Sequence, residues 1–454
     1  MDRKHLQPAG SSYWLEVYGC QMNVNDSEII RGILNGAGFV EAPETGSADV
    51  ILVVTCAVRE RAEARALGRV THLAGLRRAG KKPLIALCGC VAQEKGEGIL
   101  EDVAGVDFVV GPDGYRLLPG LLAGGVGRTA LELGAEDYEG VHAERKAFPQ
   151  AFVSIMRGCD NYCSYCIVTT VRGRERSRRM EGVLEEIRLL REEGYREITL
   201  LGQNVNSYRS DGSGFPELLA KAAEAAGPAW VRFVTSHPRD FSEELVDSAA
   251  SCRNVCRQVH LPVQSGSDAI LRAMNRRYSR GEYLEKVAML REKLPGVVIS
   301  TDVIAGFPGE TEGDFEQSMS LLEDVRFDYA FLFRYSERDG TAAAGFDGRV
   351  PVADRLRRLQ ALQKLQNRVT LQRSKALEGR LLPVMVTGVA ERRGQQAGRT
   401  AGNRVAILEG TSYAPGSFIL AEVVSADGWT HHSEARGVLD PSGGFVASET
   451  WEGR

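Results

Sequence analysis

The chain has 454 residues, 43% hydrophobic and 26% charged, a balance that excludes a disordered polymer or a fibrous repeat. At roughly 150 residues per domain, that length implies about three domains. Sixty acidic residues against 56 basic ones leave a formal charge of −4, so any affinity for a polyanion has to come from a local basic patch.

The opening MDRKHLQPAGSSYW carries charges and a proline but no apolar run, and nothing in the chain approaches the roughly 18 to 20 apolar residues of a membrane span. A cytoplasmic protein with no membrane association is expected. From Tyr13, short apolar runs alternate with helical patterns: YWLEVYG, DSEIIRGILNGAGF, DVILVVT, a charged stretch over 59–78, and PLIAL. This reads as βαβαβ with a parallel sheet, a first α/β domain over residues 12–128. A Gly-rich stretch, LAGGVGRTALELGAEDYEG, carries the chain out of it.

Strand and helix alternation resumes with AFVSIM, a helix over 181–193, EITLLG, WVRFVTS, CRQVHLPV, VVISTDVIAGF and FDYAFLFRYS. Six or seven such units predict a full or partial (β/α) barrel over 145–375. Functional residues of such barrels sit at the carboxyl ends of the strands, here LGQN, TSHP, PVQSGS and IAGFPGE. Residues 351–375 read as a basic amphipathic helix, and 376–440 as short β-runs with Gly turns, a small β-barrel.

Nine cysteines are too sparse for a disulfide scaffold, and clustered cysteines in a reducing compartment hold metal or perform redox chemistry. Cys159, Cys163 and Cys166 form C-x3-C-x2-C just after AFVSIM. Iron–sulfur cubanes are normally held by four thiolates, so a loop offering three leaves one iron open to a non-protein ligand. The alternatives are a zinc knuckle short of its fourth ligand, or three unrelated thiols. A second, dispersed trio is Cys20, Cys56 and Cys90, each directly after an apolar run and separated by 36 and 34 residues. Strand ends of a parallel sheet open into one crevice, so these thiols can meet there and hold a second cluster. Buried structural cysteine is the equally weighted alternative.

C-x3-C-x2-C with Tyr165 before the last Cys resembles the signature of the radical S-adenosylmethionine enzymes. That resemblance implies a [4Fe-4S] cluster on Cys159, Cys163 and Cys166 whose open iron chelates S-adenosylmethionine, and reductive cleavage to a 5′-deoxyadenosyl radical. YGCQMNVNDSE, TCAVRE and GCVAQ are similar to the N-terminal domain of the methylthiotransferases within that group, and the likeness extends through RGRERSR, ITLLGQNVNSY, VTSHP, HLPVQSGSD and STDVIAGFPGETEGDF to a C-terminal segment that resembles the RNA-binding TRAM domain. It implies an auxiliary [4Fe-4S] cluster on Cys20, Cys56 and Cys90. Among methylthiotransferases, LGQNVNSY and RGRERSR most resemble those that act on N6-dimethylallyladenosine beside the tRNA anticodon. One S-adenosylmethionine would then methylate the sulfur, and a second would yield the radical that removes the C2 hydrogen. An electron donor such as flavodoxin or ferredoxin, a sulfur donor and the anticodon stem-loop are the implied partners of a chain expected to act as a monomer. Threonylcarbamoyladenosine in tRNA or a ribosomal-protein aspartate are the alternative substrates. A non-catalytic iron–sulfur RNA-binding protein is the alternative from another class.

Tyr165, Gln203, Gln264 and Ile304 are the residues the resemblance implies around S-adenosylmethionine. Thr169 and Thr170 stand where the family usually has a proline and an aromatic residue. Cys88 is expected to be a partly buried thiol without a ligand role. Cys252 and Cys256 stand at i, i+4 of a possible helix, a weak site with packing as the simpler reading. Gly306 and Gly309 suit either close approach to a ligand or an ordinary turn. Arg172, Arg174, Arg176, Arg178 and Arg179 suit a cofactor carboxylate or RNA phosphate, with a solvated loop as the alternative. A second basic cluster, Arg355, Arg357, Arg358, Lys364, Arg368, Arg373, Lys375, Arg380, Arg392, Arg393, Arg399 and Arg404, is the expected tRNA anchor. From both runs, Arg172, Arg174, Arg176, Arg392 and Arg404 are taken as RNA contacts. His237 and His260 sit at strand ends and receive no catalytic role.

Overall fold

The computed structural model describes residues 6–7, 9–57, 60–78, 83–125, 127–134, 136–392, 394–410, 412–440 and 445–449. Arg59 and Arg393 of the charged stretches read above therefore lie outside the described residues. Two compact units are present: Met1–Lys146 with Met156–Tyr162 and Cys166–Arg178, and Ala147–Ile155 with Cys163–Tyr165 and Arg179–Arg454.

In the first unit, β1 (Ser12–Val17), β2 (Val40–Glu41), β3 (Val50–Thr55), β4 (Leu84–Gly89), β5 (Phe108–Val110) and β6 (Thr129–Ala130) form one parallel sheet in the order β2-β1-β3-β4-β5-β6. β3 reads VILVVT and is buried at every position, as a strand covered on both faces must be. Its side chains alternate between two cores. Val50, Leu52 and Val54 pack with Ile29, Ile30 and Leu34 of the helix Gln21–Gly36, while Ile51 and Val53 pack with Ala66, Val70 and Leu73 of the helix Glu60–Arg78. The strand order reverses between β1 and β3, and in open α/β sheets the crevice beyond the carboxyl ends at such a switch point is where ligands bind.

In the second unit, the parallel strands Gln150–Ser154, Glu197–Leu201, Trp230–Phe233, Gln258–His260, Val298–Ala305 and Tyr329–Arg334 follow one another with helices between them. A parallel bridge from Val231 to Val255 links the two groups of three. This is the partial (β/α) barrel expected from the alternating runs. The helix Val352–Lys375 closes it, and five strands between Leu381 and Val438 form a closed barrel. Arg232 joins the two parts. It pairs with Glu197 at 2.7 Å and donates to the carbonyls of Ala401 (2.6 Å) and Thr400 (2.7 Å).

Several expectations need correction. The helix Val352–Lys375 buries a stripe at 355, 358, 362, 365 and 369, so Arg355 and Arg358 of the basic cluster face inward. Arg358 pairs with Glu310 at 2.7 Å, and Arg355 donates to the Val350 carbonyl. Arg404 has no exposed side-chain surface. It binds Asp328 at 2.8 Å and Glu449 at 3.1 Å, and it is a structural residue rather than an RNA contact. Cys88 is wholly buried in the core of the first unit, and burial pushes its thiol pKa up. The helix Glu243–Ser251 ends before Cys252, so Cys252 and Cys256 do not share a helical face; Cys256 packs with Trp230 and Phe418. A Cβ at Gly306 would overlap the Arg355 side chain, and the Gly309 N–H donates to the Gly348 carbonyl at 2.9 Å, so the Gly-Phe-Pro-Gly segment is a turn packed on the closing helix.

Candidate metal centres

Cys20, Cys56 and Cys90 follow the ends of β1, β3 and β4, three neighbouring strands of the first sheet. Two inter-strand spacings, roughly 10 Å, separate the outer pair at backbone level. Glycines bring the loops closer still. Gly19 has φ +143° and a Cβ there would overlap the Cβ of Cys56, while Gly89 has φ +92° and its Cβ would stand 2.7 Å from the Thr55 carbonyl. Asn23 stitches the same loops together: its amide donates to the Thr55 carbonyl at 2.7 Å, and its side-chain oxygen accepts from the Cys20 thiol at 3.2 Å.

The Cys20 thiol is pulled down to about 6, first by its hydrogen bond with Cys56; burial opposes the shift and the charge of Arg172 assists it. Burial raises Cys90, with Arg172 acting the other way. Arg172 is the link between the two thiols. Its Nε donates to Cys90 Sγ at 3.3 Å and its Nη2 to Asp26 Oδ2 at 2.7 Å. Asp26 Oδ1 is taken by Arg157 Nη2 at 2.7 Å, and the Tyr115 hydroxyl lies 3.3 Å from Oδ2. Asp113, close enough to feel both arginines, already holds Arg176 at 2.9 Å.

Two guanidiniums thus share one carboxylate in a buried setting. Arg157 Nε and Nη1 and Arg172 Nη1 have no hydrogen-bond partner among the described residues. Buried charge is costly unless compensated, and an anionic group held by thiolates at this crevice supplies both the negative charge and the acceptors. The donor set therefore fits an iron–sulfur cluster. Among the described residues no three His, Cys, Asp or Glu side chains are placed for a single metal ion. A cubane binds each thiolate on a different iron and needs a wider set.

The C-x3-C-x2-C loop follows the strand Gln150–Ser154. Cys159 N–H donates to the Gly173 carbonyl at 3.3 Å, the Asn161 amide donates to Cys159 Sγ at 3.4 Å, and Thr169 Oγ1 donates to the Cys159 carbonyl at 3.3 Å from the short helix Val168–Arg172. Thr169 thus supports the loop from within. On Cys163 Sγ, Arg276 Nη1 donates at 3.4 Å; its Nη2 holds the Pro262 carbonyl at 2.8 Å. Ser164 is pinned by the carbonyls of Ala273 and Met274.

Residues 153–322 match the radical SAM superfamily, and residues 12–111 match Uncharacterized protein family UPF0004. The tRNA-2-methylthio-N(6)-dimethylallyladenosine synthase of Chlorobium luteolum is 42% identical over 440 residues, 95% of this chain and 99% of the relative. That of Carboxydothermus hydrogenoformans is 43% identical over 442 residues, 95% and 100%. This chain belongs to the synthase family. Among solved structures, the radical S-adenosylmethionine methyltransferase TsrM of Kitasatospora setae has a TM-score of 0.56 at 13% identity over 73% of this chain and 74% of that one. The cobalamin-dependent radical enzyme OxsB has a TM-score of 0.52 at 11% identity, over 78% and 56%. These two share the fold.

Within the synthase fold, Gln203, Gln264 and Ile304 of the expected S-adenosylmethionine residues lie at or just beyond strand ends of the second unit, and Tyr165 lies in the cysteine loop. Gln264, at φ +74°, accepts the Ile304 N–H at 2.9 Å, so these two are neighbours. Ile304 and Tyr165 pack on one cluster with Met274, Phe307 and Tyr335. Gln203 Oε1 and the nearby Ser236 Oγ and His237 Nε2 are buried without a hydrogen-bond partner among the described residues. Burial drives His237 down to about 2, with Arg276 adding to the shift, so its ring is neutral. Of the arginine run, Arg174 is 79% exposed beside Asp160, whereas Arg172 is buried and Arg176 pairs with Asp113. The expectation that Arg172 reads RNA is therefore corrected: its guanidinium is spent on Asp26 and Cys90. Sequence reasoning missed Asn23, Asp26, Arg157 and Arg276. The only signal was position, since Asn23 and Asp26 stand at i+3 and i+6 from Cys20 on one helix and Arg157 stands two residues before Cys159.

Proposed function

We propose that this chain inserts a methylthio group at C2 of N6-dimethylallyladenosine beside the anticodon of tRNA. Membership of the synthase family supports the reaction and its substrate. The observation that carries the reading is the gathering of Cys20, Cys56 and Cys90 beyond three adjacent strands of the N-terminal sheet, in a chain whose (β/α) barrel brings a second trio. Two [4Fe-4S] clusters and S-adenosylmethionine, when bound, supply the methylated sulfur and the radical that removes the C2 hydrogen.

The chain's residues ligate, orient and exclude water. Cys20, Cys56 and Cys90 hold the auxiliary cluster, and Cys159, Cys163 and Cys166 the other. Gln203, Gln264, Ile304 and Tyr165 line the cofactor. Arg174 and Arg392, both exposed, offer phosphate contacts. An unpaired anticodon-loop base is the kind of target RNA-modifying proteins can splay out and bind. Domain limits at 12–128, 145–375 and 376–440, a flavodoxin or ferredoxin electron donor, a sulfur donor, a cytoplasmic location and action as a monomer belong to the same reading. No helix among the described residues is long and apolar enough to cross a membrane.

Mass spectrometry of tRNA nucleosides from cells with and without the gene tests the proposal. The expected result is loss of the methylthio derivative with accumulation of N6-dimethylallyladenosine. An unchanged methylthio pool overturns it, and loss of methylthio-threonylcarbamoyladenosine instead moves the substrate.

A further inference from the structure

We propose that Asp26 is a positioning residue of this reaction: it holds Arg172 against the sulfur of Cys90, so that the guanidinium serves as a fixed hydrogen-bond donor to a ligand of the auxiliary cluster. The inference rests on the reading that Cys20, Cys56 and Cys90 hold that cluster.

Arginine–carboxylate pairs are frequently bidentate, with two parallel N–H bonds to one carboxylate. Here the carboxylate is divided. Arg157 takes Oδ1 and Arg172 takes Oδ2, each through a single Nη2, which leaves the Nε of Arg172 to the thiol. All three side chains are buried, at 0%, 1% and 4% exposure for Asp26, Arg157 and Arg172. Arg157 lies 4.7 Å over the Tyr138 ring, which fixes it from the side. Arg172 belongs to the short helix six residues beyond Cys166 and Arg157 lies two residues before Cys159, so Asp26 grips both flanks of the C-x3-C-x2-C motif with one side chain. Hydrogen bonds and net charge at the sulfurs are among the determinants of cluster potential, and partners of this kind typically change affinity or activity by about 10- to 100-fold.

The test uses the full chain with Cys159, Cys163 and Cys166 replaced by Ala, reconstituted anaerobically with iron and sulfide, so that only the auxiliary cluster reports. The midpoint potential is read by redox titration followed by electron paramagnetic resonance. Arg172→Met removes a donor and a positive charge and is expected to weaken reduction at least tenfold, ~59 mV for one electron. Asp26→Asn decides the mechanism by sign. Removing a negative charge by itself must favour reduction, whereas losing the hold on Arg172 must disfavour it. A lower potential in Asp26→Asn supports positioning; a higher or unchanged one overturns it. Arg172→Lys covers the case in which the Met variant does not fold: it keeps the charge but cannot span both Asp26 and Cys90, and a wild-type potential in it overturns the proposal. If the starting variant binds no iron, or keeps its iron when Cys20→Ala is added, the cluster assignment itself fails and the proposal falls with it.

Discussion

Gly19→Ala is the sharpest probe of the auxiliary site. At φ +143° a side chain is strained in any surroundings, and the added Cβ would overlap the Cβ of Cys56. Strained backbone of this kind costs of order 1–3 kcal/mol. The overlap adds to it, because Cys56 directly follows a strand buried at every position and cannot swing aside. Gly96 is the control. It has φ +64° and ψ −154°, a region essentially confined to glycine, with nothing within 4 Å of its Cβ, so Gly96→Ala reports the backbone term alone, about 1–3 kcal/mol. The assay is iron content after anaerobic reconstitution, with thermal unfolding of the same samples. Two cubanes should give about eight irons per chain. Gly96→Ala is expected to keep them with a modest fall in Tm, whereas Gly19→Ala should keep about half. Full iron in Gly19→Ala would refute the close convergence of the Cys20 and Cys56 loops on which the auxiliary site depends.

Arg404→Met leaves Glu449 buried with no cation, only the Thr400 hydroxyl, while Asp328 keeps Arg373, and it should cost about 3–5 kcal/mol, measured by urea unfolding, with the salt slope of tRNA binding unchanged in the folded fraction. Arg392→Ala, on an exposed turn, should leave unfolding unchanged and reduce that salt slope by about one. Cys88→Ala should cost about 1–2 kcal/mol through its small core cavity and leave the iron content intact. Cys163→Ala should abolish reductive cleavage of S-adenosylmethionine to 5′-deoxyadenosine, while Cys20→Ala should spare cleavage and stop methylthio insertion; chromatography of 5′-deoxyadenosine and of tRNA nucleosides separates the two.

Periodicity by itself determined the parallel sheet, the run of six or seven β/α units and the amphipathic helix after them, and cysteine spacing marked out two thiol trios, because these are local regularities: strand runs, a 3.6-residue stripe and three cysteines in one short loop. What they left open was the fate of charge. Arg172, Arg174 and Arg176 alternate within five residues of one segment, yet Arg172 is buried against Asp26 and Cys90 while Arg174 stands in solvent. Arg404 and Arg392 belong to one basic tail, yet one is sealed in an ion pair and the other exposed. An arginine's role is set by whichever carboxylate or thiol the fold carries to it, and those partners lie 146 residues away for Asp26 and 82 for Cys90. Only the tertiary structure decides such pairings, because the free energy that settles them is the desolvation of the final assembled interior and not any property of neighbouring residues in the chain.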